Sequence, residues 1–262
     1  MTVKNVLGFL LSFTVVFYVA LTLFGYFCAD KLLFHPHTVA YDTLMPVIKL
    51  KTADGEIISA VYLPGLTAKY TVIYSHGNAE DLNSIFPALL ALRRAGFSVF
   101  AYDYHGYGES TGHPSEANTY ADINAAYAYL TETQHIPSNR IVAYGRSLGA
   151  AVSADLASRH NLAGLVLESP FLSAYQVVVP IPLLFDRFTT DAKLGRITCP
   201  LLVLHGSLDD VVPFSHGKAV YEKANSPKMH LWVEGAHHND LPQVAGKHYA
   251  EAINAFKETL PQ

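Results

Sequence analysis

The sequence contains few charged residues and has no basic stripe. Of its 262 residues only 15% are charged and half are hydrophobic, so the chain can bury a full core and fits one large domain with a short appendage. The 18 Lys and Arg residues are scattered, and the net charge is -4. A nucleic-acid backbone needs clustered positive charge, so nucleic acid is not an expected partner.

Cysteine is also scarce. Cys28 closes an apolar run and Cys199 precedes a predicted core strand, so a disulfide between them is not expected. Neither cysteine has His or Cys companions at the spacing of metal ligands. The thirteen histidines show no His-x3-His pair on a helix and no Glu-flanked zinc pattern. The sequence therefore predicts neither a metal nor another cofactor.

One segment has no charge at all. Residues 6–27 form an uncharged run long enough, as a helix, to cross a hydrocarbon core of about 30 Å. A cleaved signal peptide would have a shorter apolar region, of roughly 7 to 15 residues, and a small-x-small cleavage site. A lipobox-like cysteine, Cys28, follows the bulky Phe27, which argues against lipidation. We predict an uncleaved single-pass anchor, and Lys4 modestly favours an N-terminus inside.

Repeats and low-complexity segments are absent, so the rest of the chain is divided by its periodicity. Residues 1–30 are predicted as the anchor, 31–45 as a connector and 46–262 as one catalytic domain. In that domain β-rich segments alternate with longer helical ones, which is typical of a mostly parallel sheet with helices on both faces. The turn signal at residues 53–55 predicts that the first two strands are antiparallel.

Eight strands and five helices are predicted beyond the anchor. The strands are expected near 47–51, 57–63, 70–75, 98–103, 140–144, 164–168, 200–205 and 229–233, and the helices near 84–95, 117–133, 149–160, 215–225 and 242–259. Ligand sites in such α/β sheets form at the carboxyl ends of the strands, so the functional residues are expected there.

A Gly-x-Ser-x-Gly pattern follows the fifth predicted strand, as Gly-Arg-Ser-Leu-Gly at residues 145–149. A serine hydroxyl needs a base to take its proton, so it must project from a sharp turn that the base can reach. Flanking glycines permit that turn because side chains there would clash. We predict that Ser147 is a nucleophile and that the backbone N–H of Leu148 faces the developing oxyanion.

The other members of a serine triad have candidates at two later strand ends. Asp209 and Asp210 follow the predicted strand at 200–205, and His237 and His238 follow the last strand. The order Ser, Asp, His is the one expected of an α/β hydrolase. The residues alone do not decide between Asp209 and Asp210 as the acid, or between His237 and His238 as the base.

Five segments together resemble the α/β-hydrolase superfamily, and specifically its branch of single-pass, membrane-anchored hydrolases that includes depalmitoylase-like proteins. They are Ser-His-Gly-Asn-Ala at 75–79, Tyr-Asp-Tyr-His-Gly-Tyr-Gly-Glu-Ser at 102–110, Gly-Arg-Ser-Leu-Gly at 145–149, Glu-Ser-Pro-Phe at 168–171 and Pro-Phe-Ser-His-Gly at 213–217. The resemblance covers the chain from about residue 46 to the end. It implies an α/β-hydrolase fold with eight strands.

The resemblance also implies residue roles. It assigns the acid to Asp209, with Asp210 the alternative, and the base to His238, although His237 stands where a glycine is usual. It assigns the second oxyanion donor to the backbone of Asn78, with Ala79 the alternative.

Other conspicuous residues are predicted to be structural. His76 and His205 end core strands and are expected to be packed and hydrogen-bonded, and the glycine-rich loop at 103–108 lacks the features of a phosphate-binding loop. Arg146 is expected either to reach a carboxylate such as Glu168 or to be solvated. Related hydrolases insert a cap where residues 173–194 lie. Here that segment is too short for a large lid. Its apolar residues 177–185 are predicted either to form a flap over the serine or to pack in the core, and the sequence does not decide between these two interpretations.

These observations predict an enzyme that cleaves carboxylic or thio esters through an acyl-enzyme. A small or lipid-like ester and an acylated protein are the expected substrates or partners, and no cofactor is required. The alternatives are a serine peptidase of the same fold and a non-catalytic, membrane-tethered binding module. The sequence gives no oligomeric state.

Overall fold

The apolar runs of the sequence form an eight-stranded sheet. The computed structural model describes residues 3–37, 40–41, 45–178, 186–225 and 227–261. The strands are β1 Val47–Lys51, β2 Ile57–Leu63, β3 Thr71–Ser75, β4 Ser98–Tyr102, β5 Ile141–Arg146, β6 Gly164–Glu168, β7 Leu201–Gly206 and β8 Lys228–Val233. Each predicted strand is confirmed to within two residues at either end.

The sheet begins antiparallel and becomes parallel, as predicted. Its order is β1-β2-β4-β3-β5-β6-β7-β8. β1 and β2 pair as a hairpin whose turn contains Gly55 with φ of +96°, and β2 pairs antiparallel with β4. All later pairings are parallel. The carboxyl ends of β3 to β8 therefore meet at one edge, where the candidate site lies.

Nine helices are found within the described residues. They are α1 Val3–Leu33, α2 Leu82–Arg94, α3 Glu116–Ala128, α4 Leu148–Ala157, α5 Ala174–Val178, α6 Asp191–Leu194, α7 Phe214–Lys223, α8 Leu241–Ala245 and α9 Lys247–Glu258. The side chains of Asp81 and Ser115 cap α2 and α3 by accepting from the N–H groups of the first turn.

Two predicted helices differ from the observed ones. The helix expected over 117–133 ends at Ala128 and continues as a π-helical turn over Tyr129–Thr133. The helix expected over 242–259 is divided at Gly246, whose φ of +54° is incompatible with a continuous α-helix. Periodicity did not show these breaks because the apolar pattern continues across both of them.

Helices cover both faces of the sheet. On one face the apolar side chains of α3 and α4 pack against the strands, and on the other face those of α2 and α9 do so. Strands β3, β4, β5, β6 and β7 are buried along nearly their whole length. This double burial explains their near-continuous apolar sequences.

The short cap is represented by α5 and α6. Both helices are short. They flank residues 179–185, which lie outside the described residues and make up most of the apolar flap expected at 177–185. The described part of this region contains no large lid. Phe188 is fully buried in the core beside it.

The N-terminal helix α1 contains the apolar segment Leu7–Phe24, which is long and apolar enough to cross a membrane. Most of its described side chains are exposed, unlike those of a core helix. The helix continues to Leu33, into the segment predicted as a connector. Phe34 and Tyr41 of that connector are buried in the core of the sheet domain.

Candidate active site

The turn between β5 and α4 places Ser147 at the carboxyl edge of the sheet. Ser147 has φ of +53°, a conformation that few non-glycine residues adopt and that is found at strained functional turns. A Cβ atom on Gly145 would lie 2.0 Å from the Gly149 carbonyl oxygen, and one on Gly149 would lie 2.0 Å from the Ser75 carbonyl oxygen. Both glycines are therefore required by the close approach of β3, β5 and α4.

Three residues from separate loops meet at this turn. The Ser147 Oγ lies 3.0 Å from Nε2 of His238, and the Nδ1 of His238 lies 2.8 and 3.0 Å from the two carboxylate oxygens of Asp209. Ser147 follows β5, Asp209 follows β7 and His238 follows β8. Each of the three residues is less than a tenth exposed. The arrangement connects a hydroxyl, an imidazole and a carboxylate in one hydrogen-bonded line.

The neighbouring candidates lie outside this line. The Asp210 side chain is 67% exposed and its Oδ1 lies 3.8 Å from Nδ1 of His237, whose side chain is 52% exposed. Asp210 accepts only a long hydrogen bond, 3.4 Å, from the His238 backbone N–H. The geometry therefore brings Asp209 and His238 to the serine and leaves Asp210 and His237 at the surface.

The carboxylate of Asp209 is held by several donors. Its Oδ1 accepts from the N–H groups of Val211 at 3.0 Å and Val212 at 2.7 Å, and its Oδ2 lies 3.3 Å from Nε2 of His205. Burial alone would raise the pKa of Asp209. The hydrogen bonds from His205, His238 and Val212 outweigh burial and hold that pKa well below its ordinary value. The group is therefore a carboxylate at neutral pH.

His205 and His76 are packed and hydrogen-bonded, as predicted. The Nε2 of His205 lies 2.9 Å from the Val212 carbonyl oxygen in addition to its contact with Asp209. The Nδ1 of His76 lies 2.8 Å from the Gly77 carbonyl oxygen, and its Nε2 lies 3.3 Å from Asp103. Each imidazole is thus hydrogen-bonded to the backbone of a loop next to the site.

The two predicted oxyanion donors lie in loops next to the elbow. Leu148 opens α4 directly after the serine, and Asn78 lies in the loop after β3, whose end touches the start of α4. Among the described residues, neither the Leu148 nor the Asn78 backbone N–H donates a hydrogen bond. The N–H of the alternative donor, Ala79, likewise has no hydrogen-bond acceptor among the backbone groups of the described residues. Leu148 and Asn78 therefore stay the predicted donors, and within the described residues neither N–H is engaged elsewhere.

Arg146 reaches Glu168, which is one of the two alternatives that the sequence left open, and it makes further contacts that the sequence did not reveal. Its Nη2 donates to the His238 carbonyl oxygen at 2.9 Å and to the Asn239 side chain at 2.7 Å. Its Nη1 pairs with Glu80, and its Nε lies 3.4 Å from Glu168. Burial would lower the pKa of Arg146, but the two carboxylates raise it. The guanidinium therefore ties the loop of His238 to the loop after β3 and to the end of β6.

A buried polar cluster lies beside Arg146. The Glu168 carboxylate accepts from the hydroxyls of Tyr144 at 2.5 Å and Tyr249 at 2.7 Å. Burial, and then the Glu168 charge, raise the pKa of both tyrosines well above the ordinary value. The two phenols are therefore neutral donors, and they link α9 to the sheet directly behind the site.

The glycine-rich loop after β4 is a structural turn, as predicted. The Asp103 carboxylate accepts from the Tyr41 hydroxyl and from the Leu82 N–H, and His105 pairs with Asp122. Among the residues that the structure describes, no group of three or more His, Cys, Asp or Glu side chains could hold a metal ion.

Comparison with known proteins points to one superfamily. The profile of the family described as serine aminopeptidase, S33, matches residues 67–193. Alpha/beta hydrolase domain-containing protein 17B of Xenopus laevis and that of Homo sapiens are each 40% identical over 211 residues, which cover 79% of this chain and 73% of the relative.

Solved structures share the fold. A Pyrococcus furiosus esterase superposes with a TM-score of 0.72 at 21% identity, over 86% of this chain and 99% of the esterase. An esterase domain of a Rhodothermus marinus protein superposes with a TM-score of 0.65 at 16% identity, over 83% of this chain and 99% of the domain. At these identities the likeness concerns the fold alone.

Proposed function

The chain belongs to the α/β-hydrolase superfamily, and we propose that it is a serine hydrolase that cleaves carboxylic or thio esters through an acyl-enzyme. The observation that carries this proposal is the continuous line from Ser147 through His238 to Asp209. A hydroxyl within 3.0 Å of an imidazole, whose other nitrogen faces a buried carboxylate, has the arrangement that activates serine for acyl transfer.

In the proposed reaction Ser147 attacks the acyl carbon while Nε2 of His238 takes its proton. Asp209 keeps the imidazole in the tautomer with Nδ1 protonated and stabilises the imidazolium that forms. The N–H groups of Leu148 and Asn78 bind the oxyanion. When the tetrahedral intermediate collapses, the imidazolium returns its proton to the departing alcohol or thiol. Water then attacks the acyl-enzyme by the same steps, which releases the acid and restores Ser147.

The N-terminal helix is proposed to anchor the enzyme at a membrane through residues 6–27. Support comes from the length and apolar composition of Leu7–Phe24 and from the exposure of its side chains outside the core. A hydrolase held at a lipid surface meets amphiphilic esters at high local concentration, so a lipid-like ester or an acylated protein is the proposed substrate.

A peptide bond is the second candidate substrate, because the matching family profile is described as a serine aminopeptidase. The same serine, histidine and oxyanion donors perform amide cleavage. Assay of the purified protein with aminoacyl p-nitroanilides beside p-nitrophenyl esters compares the two. Faster turnover of the anilides would replace the ester proposal with this one.

Labelling by a fluorophosphonate probe tests the nucleophile. Ser147→Ala is expected to abolish labelling and ester hydrolysis without changing the melting temperature, since the probe reacts with the activated hydroxyl. Ser158→Ala is the matched control, because Ser158 lies at the other end of α4 and bonds only the Asp155 carbonyl among the described residues. Labelling that persists in Ser147→Ala would overturn the assignment.

A series of p-nitrophenyl esters of increasing acyl length tests the reaction class. An optimum at long chains supports a lipid-like acyl group, and one at short chains supports a small soluble ester. If the wild-type protein hydrolyses no ester and binds the probe at no serine, the enzyme proposal fails and a membrane-tethered binding module takes its place.

A further inference from the structure

The C-terminal end of α1 lies against the loop that supplies the proposed second oxyanion donor. The side-chain amide of Asn78 donates to the Leu33 carbonyl oxygen at 2.5 Å, and its Oδ1 accepts from the His35 backbone N–H at 3.0 Å. Both polar atoms of this side chain therefore contact the end of the N-terminal helix. The last carbonyls of a helix lack partners within the helix, and His35 lies beyond the end of α1, so Asn78 supplies a partner to each group.

The end of α1 is itself fixed to the fold. Phe34 is only 4% exposed and belongs to the main apolar core, where its ring meets Phe188 edge-on with a centroid distance of 6.0 Å. Its N–H donates to the Asp30 carbonyl oxygen and extends the helical pattern by one residue. Asn78 consequently bonds to a rigid structure and not to a free segment.

Tyr107 joins the same contacts from the opposite side. Its buried hydroxyl donates to Asn78 Oδ1 at 2.6 Å and accepts from the His35 backbone N–H at 3.2 Å. Ala79 has φ of +60°, which an alanine adopts only where its surroundings impose it. The loop after β3 is thus held in a strained conformation by Tyr107 and by the end of α1.

The direction of the Asn78 backbone N–H follows from that conformation. Gly77, the residue before Asn78, is fixed as well. Its N–H donates to Glu80 at 2.5 Å, and Glu80 pairs with Arg146. An oxyanion donor contributes only when it points at the developing charge, and a misplacement of about 1 Å costs up to about 100-fold in rate. The side chain of Asn78 connects this geometry to the end of α1 directly, and the Tyr107 hydroxyl supports the connection by bonding both Asn78 and the His35 N–H.

We propose that the segment Leu33–His35 at the end of the N-terminal helix is a positioning element of the oxyanion hole, and that the Asn78 side chain is its link to the catalytic loop. This inference rests on the proposed serine-hydrolase function. It makes α1 part of the catalytic unit as well as a tether. Asparagine suits the link because its amide offers a donor to the Leu33 carbonyl and an acceptor to the His35 N–H.

The test compares steady-state hydrolysis of a p-nitrophenyl ester by full-length variants in detergent micelles. In Asn78→Ala both bonds to α1 are lost, and in Asn78→Asp the donor to Leu33 is lost while the acceptor remains. We expect kcat to fall about 10- to 100-fold in Asn78→Ala, and less in Asn78→Asp, while KM changes much less. The pH profile is expected to keep its shape, because His238 and Asp209 are untouched.

The chain offers a matched control. Asn83 also uses its side-chain amide to bond the connector, at the Ala40 carbonyl oxygen 3.0 Å away, but it lies on α2 outside the catalytic loop. Asn83→Ala is expected to leave kcat within about twofold, as exposed hydrogen bonds contribute little. If Asn78→Ala and Asn78→Asp behave like Asn83→Ala, the inference is wrong.

A double-mutant cycle with Phe34→Ala shows whether α1 acts through Asn78. Phe34→Ala loosens the end of α1 and is expected to lower kcat, whereas adding it to Asn78→Ala is expected to lower kcat little further, because the link is already cut. Fully additive losses would overturn the link. Melting temperatures identify variants that lose activity by unfolding. A wild-type protein without ester hydrolysis would instead refute the proposed function.

Discussion

At the scale of single residues, the guanidinium of Arg146 joins segments at the carboxyl ends of three strands. It contacts Glu80 after β3, Glu168 at the end of β6 and the His238 carbonyl after β8. The planar guanidinium has enough N–H donors to make these contacts at the same time. A lysine ammonium could not reproduce this arrangement. Arg146 thus holds the loop of His238, the proposed base, through the backbone carbonyl of that residue.

We therefore expect Arg146→Gln to lower kcat about 10- to 100-fold with a smaller change in KM, because the loop of His238 is no longer held. Arg146→Lys is expected to recover part of the loss. The control is Arg159→Gln, since Arg159 also pairs with a carboxylate, Asp155, and with an asparagine side chain, but at the far end of α4. Equal kcat values for Arg146→Gln and Arg159→Gln in ester hydrolysis would contradict this role.

The choice between two adjacent acids is a second residue-scale prediction. Asp209→Asn is expected to reduce kcat about 10⁴-fold, as in other serine triads where the imidazole loses its orienting carboxylate. Asp210→Asn is expected to change kcat only slightly, because that side chain is largely exposed. The test is to measure kcat of both variants at neutral pH. A larger loss of kcat in Asp210→Asn than in Asp209→Asn would exclude Asp209 as the acid.

At the scale of elements, the strands were predicted well because buried parallel strands have continuous apolar sequences. Helix ends were predicted less well. The break at Gly246 between α8 and α9 depends on a left-handed backbone conformation, and the π-helical turn after α3 depends on local hydrogen bonding. Neither changes the apolar periodicity from which the helices were inferred.

The elbow between β5 and α4 gives an element-scale prediction. Gly149→Ala would place a Cβ atom 2.0 Å from the Ser75 backbone, which cannot move aside without shifting β3. We expect a loss of roughly 1 to 3 kcal/mol or more in the free energy of unfolding, together with a loss of probe labelling at Ser147. Denaturant unfolding and fluorophosphonate labelling measure the two effects.

Gly195 provides the comparison for Gly149. A Cβ atom on Gly195 would meet no heavy atom within 4 Å, and its backbone is helical. Gly195→Ala is therefore expected to be neutral or to stabilise the protein by about 0.4 to 1 kcal/mol. If Gly149→Ala and Gly195→Ala change the free energy of unfolding by the same amount, the close packing of the elbow is not the reason that Gly149 is required.

At the scale of the whole molecule, α1 combines an exposed apolar segment with a buried end. Val16→Arg places a charge in the middle of Leu7–Phe24, which costs about 2.5 to 3.5 kcal/mol at the centre of a spanning helix. We expect this variant to leave the membrane pellet on carbonate extraction to a greater extent than the wild type. Leu66→Arg, at a fully exposed leucine of the sheet domain, is expected to remain in the pellet.

The wild-type protein must itself resist carbonate extraction for the proposed anchor to stand. Recovery of the wild type in the supernatant would refute a spanning helix and leave the catalytic proposal intact. Protease treatment of sealed and opened vesicles then assigns the side of the catalytic domain. The modest charge bias at Lys4 predicts an N-terminus inside, with the catalytic domain on the far side of the membrane.

The sequence by itself determined whatever depends on neighbouring residues. The glycines around Ser147 predicted the sharp turn, the continuous apolar runs predicted a buried parallel sheet, and the uncharged stretch predicted an exposed apolar helix. In each case the physical cause acts over a few residues: steric exclusion at a turn, burial along a strand, or the length of a helix.

The tertiary structure decided what depends on distant segments. The residues alone left Asp209 and Asp210, and His237 and His238, open, and the family resemblance favoured Asp209 and His238. The meeting of the loops after β7 and β8 with the elbow is what brings those two side chains to Ser147. The contacts of Arg146 with His238 and of Asn78 with Leu33 join residues 92 and 45 positions apart. No local pattern encodes such contacts, because they arise only when the sheet brings the ends of its strands to one edge.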